Sequence, residues 1–301
     1  MRTNNHLKSK IKDINNFMAN NTEPPKDLFD AFVMELGVSK LLIPAVEDDE
    51  GVELEHLESD DGLTILPLYT DDEAYDDDKM LLGHHFAFYA EVVKDCEFDG
   101  AVINMGTDDM FVPANIMLPL SRGYDDFIND DDIYDPEELR EIAFSIKNEE
   151  LVRFIENESN FNKFSELAEK LSRATLLNVV SGPMDLGELD HDGIVSALEV
   201  GGFDLSVKTE GKEKYGLLFT SFDKIESTCD VNAGVNYLVQ ISSLEKILNY
   251  ILGNDLDGVI LNPFIDDYYI PRNVLVDLYY NHPEAVNDRK YLQGNFFAFT
   301  F

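Results

Sequence analysis

The sequence predicts an α/β fold of the α+β type, made of two tandem repeats that each combine a mixed β-sheet with packed helices. Three observations support this prediction. One 23-residue segment occurs twice in the chain. Several segments carry apolar residues at helical spacing, and short apolar runs bounded by turn residues lie between them. Elements that alternate in this way typically form sheets covered by helices.

The repeated segment runs from Phe98 to Leu120 and again from Leu256 to Leu278. The two copies align without gaps and share eight of 23 positions, where unrelated segments would share roughly one or two. The identical pairs are Asp99/Asp257, Gly100/Gly258, Asn104/Asn262, Asp108/Asp266, Asp109/Asp267, Pro113/Pro271, Asn115/Asn273 and Leu120/Leu278. We therefore expect one structural element to be present twice, in repeats at about residues 26–120 and 160–280.

Each repeat is predicted to begin with a helix followed by a strand. The helical positions are Leu28, Phe29, Phe32, Val33 and Leu36 in the first repeat, and Phe161, Phe164, Leu167, Ala168 and Leu171 in the second. Gly37 is predicted to end the first of these helices. The strands follow at residues 41–46 and 176–180.

Further along each repeat we expect a strand, a helix and a second strand. The first strand ends at Thr70 or Thr220, where the hydroxyl is expected to cap the start of a helix. The helices lie at about residues 86–93 and 244–252, and the second strands at residues 101–103 and 259–261. Strands and helices in this order predict a mixed sheet.

Three segments flank the repeats. Residues 1–25 are predicted to hold an amphipathic helix through Leu7, Ile11, Ile14, Phe17 and Met18, which either packs on the first repeat or frays. Residues 121–159 form an acidic connector with a helix that starts at Asp135-Pro136 and presents one apolar face through Leu139, Ile142, Ala143, Ile146, Leu151, Val152 and Ile155. Residues 281–301 end in a strand containing Phe297, Phe299 and Phe301. We expect this strand to complete a sheet or cover a groove in its own chain, with docking into another subunit as the alternative.

Three motifs stand out in the two repeats: Leu41-Leu42-Ile43-Pro44, Leu217-Leu218-Phe219-Thr220-Ser221 and Asp257-Gly258-Val259-Ile260-Leu261-Asn262-Pro263. In combination they resemble the SseB protein N-terminal domain family. The first repeat departs from the pattern, because Met105-Gly106 follows Asn104 where Pro is usual. The resemblance implies a small cytoplasmic α/β domain, here in tandem, with no established catalytic residues.

The repeated Asp-Gly-x-x-x-Asn is the strongest candidate for a ligand-binding site. Asn104 and Asn262 would present amides at strand ends, where open α/β sheets commonly bind ligands. The complete candidate set is Thr70, Asp99, Asn104, Thr220, Asp257 and Asn262. The favoured alternative is structural, because Asp-Gly is a turn before a strand and Asn-Pro is a turn after one.

No metal site or cofactor is predicted. The acidic clusters at residues 47–50, 71–78 and 125–138 lack the spaced ligands of a calcium loop, so we expect solvated surface there. His84-His85 is the sole histidine pair, and on a helix adjacent side chains would point about 100° apart. Cys96 and Cys229 are too far apart for a metal or redox motif, and each is expected to be buried.

The charge of the chain limits its partners. Sixty Asp and Glu residues against 23 Lys and Arg give a formal net charge of −37, which would repel nucleic acid and anionic membrane surfaces. No catalytic motif accompanies the duplication, so an enzymatic role is not favoured. We expect a cytoplasmic, non-enzymatic interaction or regulatory module whose protein partner has a basic surface. The alternative is a protein that binds a small ligand or a divalent cation at the repeated turns.

Overall fold

The computed structural model describes residues 4–20, 23–48, 51–59, 61–72, 75, 80–120, 136–157, 163–181, 204–205, 207–210, 212–228, 236–242, 244–281 and 296–300. The chain divides into two compact units. Unit 1 comprises residues 1–128 and 252–255, and unit 2 comprises residues 129–251 and 256–301. Both units combine helices with mixed or antiparallel sheets, which confirms the predicted α+β class.

The elements of the first part of the chain are α1 (Asn5–Met18), α2 (Lys26–Val38), β1 (Lys40–Asp48), β2 (Gly51–Leu54), β3 (Leu57–Glu58), β4 (Thr64–Leu68), β5 (Met80–His85), α3 (Phe86–Asp95), β6 (Gly100–Ile103), β7 (Met110–Pro113) and α4 (Ala114–Met117), followed by a 3₁₀ turn (Leu118–Leu120). Those of the remaining part are α5 (Pro136–Ser145), α6 (Glu149–Ile155), α7 (Phe164–Ser172), β8 (Leu176–Ser181), β9 (Asp204–Leu205), β10 (Val207–Glu210), β11 (Glu213–Leu218), α8 (Phe222–Thr228), β12 (Asn236–Ser242), α9 (Leu244–Gly253), β13 (Gly258–Leu261), β14 (Tyr268–Pro271), α10 (Arg272–Asn281) and β15 (Phe296–Thr300).

The described residues of unit 1 form two sheets. One has the strand order β3-β4-β6-β7, with β4 and β6 parallel and the outer pairs antiparallel. The other has the order β2-β1-β5, with both pairs antiparallel. Leu42 and Tyr69 exchange backbone hydrogen bonds of 2.8 Å, and this antiparallel bridge joins the two sheets.

In unit 2, the part of the chain that the structure describes also forms two sheets, with closely similar pairing. One has the order β10-β11-β13-β14, with β11 and β13 parallel. The other has the order β15-β12-β8-β9, and an antiparallel bridge between Leu177 and Phe219 links the two sheets. The C-terminal strand β15 pairs with β12 of its own chain, as the sequence predicted for this segment. Phe301 lies outside the described residues.

The core of unit 1 is formed by helices packed on both sheets. Fully buried members include Phe32 and Leu36 of α2, Phe86 of α3 and Ile103 of β6. Helix α1 joins this core rather than fraying. Its Leu7, Ile11 and Ile14, spaced four and three residues apart, lie on one face and are buried.

The core of unit 2 contains a corresponding cluster. Leu177, Phe219, Phe222, Val239 and Ile241 are buried together. Helix α5 contributes Ala143, and Ile146 follows directly after that helix. The apolar pattern predicted for the connector therefore packs against its own unit.

Several predicted elements differ from the structure. The connector forms two helices, because the chain turns at Asn148, whose φ of 42° is incompatible with a continuous helix. Helix α2 continues through Gly37 and ends at Val38. The strands expected to end at Thr70 and Thr220 end at Leu68 and Leu218. Asp135, Phe161 and most of the acidic segments lie outside the described residues.

Candidate functional site

Two asparagine turns hold the predicted site residues. We call residues 104–109 the first turn and residues 262–267 the second turn. The first turn follows β6 and precedes β7, and the second follows β13 and precedes β14. Asn104 and Asn262 have φ angles of 55° and 49°, a left-handed conformation that asparagine adopts more readily than most residues.

The asparagine and the threonine of each unit lie together. In unit 1, Asn104 Oδ1 accepts hydrogen bonds from Thr70 N at 2.9 Å and from Thr70 Oγ1 at 3.0 Å. In unit 2, Asn262 Oδ1 accepts from Thr220 N at 2.9 Å and from Thr220 Oγ1 at 3.1 Å. All four residues are at most 2% exposed. Each pair therefore links the end of the first parallel strand, β4 or β11, to the turn that follows the second parallel strand, β6 or β13.

The hydroxyls of the two threonines bond to the buried asparagines. Helix α8 begins at Phe222, so Ser221 and not Thr220 immediately precedes it, and Thr220 Oγ1 accepts from Asn262 Nδ2 at 3.0 Å. The helix-cap expectation was therefore wrong for Thr220. Thr70 Oγ1 donates to Asn104 Oδ1, and residues 73–74 beyond it lie outside the described residues.

The aspartates lie at the opposite end of the same strands. Asp99 Oδ2 accepts a hydrogen bond of 2.8 Å from Thr64 N, and Asp257 Oδ2 accepts one of 2.7 Å from Lys214 N. Asp99 immediately precedes β6, whereas Asn104 immediately follows it. The structure thus brings threonine and asparagine together but places each aspartate away from them.

The glycine of each Asp-Gly pair permits a close approach between strands. A Cβ atom on Gly100 would lie 2.3 Å from the carbonyl oxygen of Val112, and one on Gly258 would lie 2.3 Å from that of Ile270. Such distances are far below van der Waals contact. The full Asp-Gly-x-x-x-Asn pattern therefore has a structural explanation in both units.

The two turns differ in how the asparagine amide is satisfied. Asn262 Nδ2 donates to Asp266 Oδ2 at 2.7 Å, and Lys224 Nζ contacts the same oxygen at 2.9 Å. Asn104 Nδ2 is buried and has no hydrogen-bond partner among the described residues. One buried amide donor thus remains open in unit 1, where unit 2 has a carboxylate supported by a lysine.

The turns also differ at their exposed residues. Gly106 in the first turn has a φ of 86°, and Phe264 occupies the aligned position in the second turn with a φ of 67°. Phe264 is 66% exposed, and the neighbouring Ile265 is 40% exposed. Sequence reasoning missed this feature, because the left-handed backbone at Phe264 is visible only in the structure.

A second pair of asparagines contacts the two threonines from the helix that leads each unit. Asn4 caps α1 and its backbone N donates to Thr70 O at 2.9 Å. Asn148 precedes α6, and its Nδ2 donates to Thr220 O at 2.7 Å. The signal for this correspondence was present in the sequence as Asn followed by Leu at the third position and Ile at the seventh, in Asn4-Leu7-Ile11 and Asn148-Leu151-Ile155.

One acidic residue lies inside the fold rather than on a solvated loop. The Asp71 side chain is 2% exposed, and Lys8 Nζ of α1 contacts its Oδ2 at 2.8 Å. A buried carboxylate requires such a partner because desolvation without compensation is costly. The expectation of solvated surface was therefore wrong for Asp71, the first member of its cluster.

The histidine pair lies at the end of a strand, not on a helix. His84 and His85 are the last two residues of β5, so successive side chains point to opposite faces. Burial, followed by the charge of Lys40 and by His84, lowers the pKa of His85 to about 4. Burial and Lys40 also lower the pKa of His84. Both effects favour neutral imidazoles inside unit 1.

The remaining reactive groups give no metal centre within the described part of the chain. No group of three or more His, Cys, Asp or Glu side chains there is arranged to hold an ion. Cys96 is an exposed free thiol, so the expectation that it is buried was wrong. Cys229 lies outside the described residues. Among those residues, no helix is long and apolar enough to cross a membrane.

The fold of unit 1 defines a small α+β domain whose parallel strand pair is fastened by a buried threonine and asparagine. Residues 18–115 match the family model of the SseB protein N-terminal domain, so the chain contains a domain of this family in unit 1. The match includes Thr70, Asp99 and Asn104 and most of the elements from α2 to β7. No curated protein and no solved structure matched the chain.

Proposed function

We propose that this protein is a non-enzymatic acidic module that acts by binding another protein, in an interaction or regulatory role. The observation that carries the proposal is the internal use of the candidate site. The oxygens of Asn104 and Asn262 accept from Thr70 and Thr220, and all four residues are buried. Groups engaged in this way stabilise the chain and are not presented to a substrate.

The proposed partner has a basic surface. The formal net charge of −37 creates a negative potential that attracts cationic surfaces and repels anionic ones. Complementary charge accelerates association and becomes less effective as salt increases. We therefore expect partner binding that weakens with ionic strength, in a protein that acts in the cytoplasm.

We also propose that the two units are tandem copies of one SseB-like domain. The strand pairings β4–β6–β7 and β11–β13–β14 support this, as do the bridges Leu42–Tyr69 and Leu177–Phe219. The asparagines that precede α1 and α6 support a copy longer than residues 26–120 and 160–280, since each contacts the threonine of its own unit. A duplicated module can contact one partner at two places, which raises the effective concentration of the second contact.

Native mass spectrometry of protein isolated gently from its own cells tests the interaction role. We expect a discrete assembly heavier than the bare 34.1 kDa chain, containing a basic protein and dissociating as salt is raised. A search for turnover of metabolites provides the opposing test. Turnover by the purified chain that Asn262→Ala abolishes, while the variant remains folded, would contradict the proposal.

A second function, small-ligand binding, is favoured by one observation in unit 1. Asn104 Nδ2 is a buried donor without a hydrogen-bond partner among the described residues. An amide N–H binds an acceptor oxygen and not a cation, so this atom favours a carbonyl or carboxylate ligand over Ca²⁺ or Mg²⁺. A thermal-shift panel of small carboxylates and amides, with both cations as controls, tests it. Saturable stabilisation absent from Asn104→Ala would support this function, and a flat panel would oppose it.

A further inference from the structure

Phe264 combines a left-handed backbone conformation with a largely exposed aromatic ring. A bulky residue with a positive φ is a backbone outlier that costs free energy. Burial of an aromatic ring would normally offset such a cost, yet Phe264 is 66% exposed. The aligned Gly106 adopts a φ of 86° without this cost, so the turn itself does not require a phenylalanine.

Hydrogen bonds within the second turn hold its backbone at Phe264. The backbone N–H groups of Ile265, Asp266 and Asp267 donate to Asn262 O at 3.1, 3.0 and 3.2 Å. Phe264 N donates to Asp267 Oδ1 at 2.9 Å. A backbone fixed in this way loses little further conformational freedom when the turn binds, which favours affinity.

The surroundings of the ring indicate the chemistry of what it binds. Lys208 Nζ lies 5.5 Å from the centroid of the Phe264 ring, within the range of a cation–π contact. Asp267 beside it is exposed, and Ile265 extends the apolar surface. An aromatic ring and a carboxylate on a chain of net charge −37 together suit an apolar pocket bordered by Arg or Lys.

We propose that Phe264 and Ile265 form the anchor by which unit 2 docks on a partner protein, into an apolar pocket bordered by basic side chains. This inference rests on the proposed interaction role and names its surface. Exposed aromatic side chains that fill a partner's pocket commonly contribute a large share of binding free energy. The strain at Phe264 is then retained because the ring binds a partner, not because it supports the fold.

Stability and binding respond in opposite directions to one change. Phe264→Gly relieves the left-handed strain, so we expect its Tm to be equal to that of the parent or higher by about 2 to 4 °C. Phe264→Asn keeps a residue that tolerates a positive φ and serves as a second variant. Phe111→Ser is the matched control, since Phe111 is 46% exposed on β7 of unit 1.

Site-specific photo-cross-linking provides the test. Benzoylphenylalanine is placed at position 264 or 111 of the full chain in its own cells, and cross-linked peptides are identified by mass spectrometry. We expect position 264, and not 111, to join one protein at a segment rich in Arg or Lys. With that protein purified, Phe264→Gly and Phe264→Asn should each weaken binding about tenfold or more, and Phe111→Ser less than about twofold.

Two results would overturn the inference, and they differ from a failure of the proposed function. Equal affinities for the parent, Phe264→Gly and Phe264→Asn would place the docking surface elsewhere while leaving the interaction role intact. Cross-links from 264 only to the chain itself, although native mass spectrometry finds a partner, would do the same. A chain that stays at its bare mass in the native spectrum, with no cross-linked protein, would remove both proposals together.

Discussion

The first and second turns place their asparagines in similar backbone conformations but differ in the hydrogen bonds of the asparagine amide donors. Both place asparagine in a left-handed conformation and fasten it to a buried threonine. Among the described residues, only the second turn supplies a carboxylate for the remaining amide donor, Lys224 of α8 contacts that carboxylate, and only the second turn displays an aromatic ring. The shared asparagine–threonine hydrogen bonds are those that the strand geometry requires. The amide partner and the aromatic ring differ because the strand geometry does not determine them.

The glycines before β6 and β13 test the shared part of this comparison and should show the largest effects. Gly100→Ala and Gly258→Ala each place a Cβ atom 2.3 Å from a backbone oxygen that cannot move without opening the hairpin. We expect each to lower the free energy of unfolding by about 3 kcal/mol or more. Hydrogen exchange read by mass spectrometry assigns the loss to β6 and β7 or to β13 and β14.

Gly62→Ala provides a control for these variants, because nothing lies within 4 Å of a Cβ atom at Gly62, which has a φ of 79°. It therefore reports backbone strain without the clash and should cost about 1 kcal/mol. A difference of less than a few tenths between Gly258→Ala and Gly62→Ala would show that the close approach of the strands is unimportant.

The asparagines test the part of the comparison in which the turns differ. Both Asn104→Ala and Asn262→Ala leave buried donors of Thr70 or Thr220 unsatisfied, which should cost about 2 kcal/mol. Asn262→Ala also removes the donor to Asp266, so we expect about 1 kcal/mol more. Urea titration gives both values.

Lys224→Met separates the two contributions in the second turn, because Lys224 Nζ contacts Asp266 but not the asparagine oxygen. In the Lys224→Met variant, the extra free energy that Asn262→Ala costs relative to Asn104→Ala should differ from its value in the parent chain, since Lys224, Asp266 and Asn262 form one network. Equal costs for Asn104→Ala and Asn262→Ala in the parent chain would contradict the idea that the second turn is better satisfied.

Sequence reasoning recovered the frame of this fold because the frame depends on local patterns. Apolar spacing located α1, α2, α3 and α9 to within a few residues, and the short apolar runs located β1, β6, β8 and β13. The family prediction was confirmed for residues 18–115, although two of the three motifs that suggested it lie in the second half of the chain. Its extension to unit 2 stays a prediction.

The features that sequence reasoning missed depend on contacts between distant segments. Asp71 lies in a run of acidic residues, and only the structure shows that its side chain is buried and paired with the partly exposed Lys8 of α1. The sequence pattern places Asn148 inside one long helix. In the structure its side-chain amide donates to Thr175 O and Thr220 O, and the residue lies between the separate helices α5 and α6. No local pattern encodes either contact, because both partners lie tens of residues away.

The histidines of β5 extend the comparison from the turns to the neighbouring sheets. His84 pairs with Leu41 in unit 1, whereas Ser242 pairs with Leu176 at the similar position in unit 2. The lowered pKa of His85, about 4, means that the unfolded chain binds a proton more readily than the folded one between pH 4 and 6.5. Stability is therefore complete above pH 6.5 and falls as the pH is lowered through this window.

We expect His85 to account for about 2 kcal/mol of acid destabilisation, located in unit 1. His85→Gln removes this titration, so the difference in unfolding free energy between parent and variant should shrink or reverse from pH 7 to pH 4.5. Urea titration across the pH range measures it, and the carboxylates common to both chains cancel. A difference that is independent of pH would show that His85 titrates normally in the folded state.

A buried amide pair in unit 2 gives the smallest expected effect and bears on whether its core needs polarity. Asn178 Nδ2 donates to Gln240 Oε1 at 3.0 Å between paired positions of β8 and β12, and both residues are buried. The similarly placed pair in unit 1 is Ile43 and Leu82. Replacing both partners of a buried hydrogen bond by apolar groups of similar shape is often nearly neutral, whereas replacing one leaves the other unsatisfied.

We therefore expect Asn178→Ile with Gln240→Leu to change the free energy of unfolding by less than about 1 kcal/mol, and Asn178→Ile alone to cost about 2 kcal/mol. A double-mutant cycle followed by urea titration measures the coupling. If the double variant loses as much unfolding free energy as the two single variants summed, each amide makes stabilising interactions with groups other than its partner. Unit 2 would then require the polar pair for its stability, and the aliphatic pair of unit 1 could not replace it.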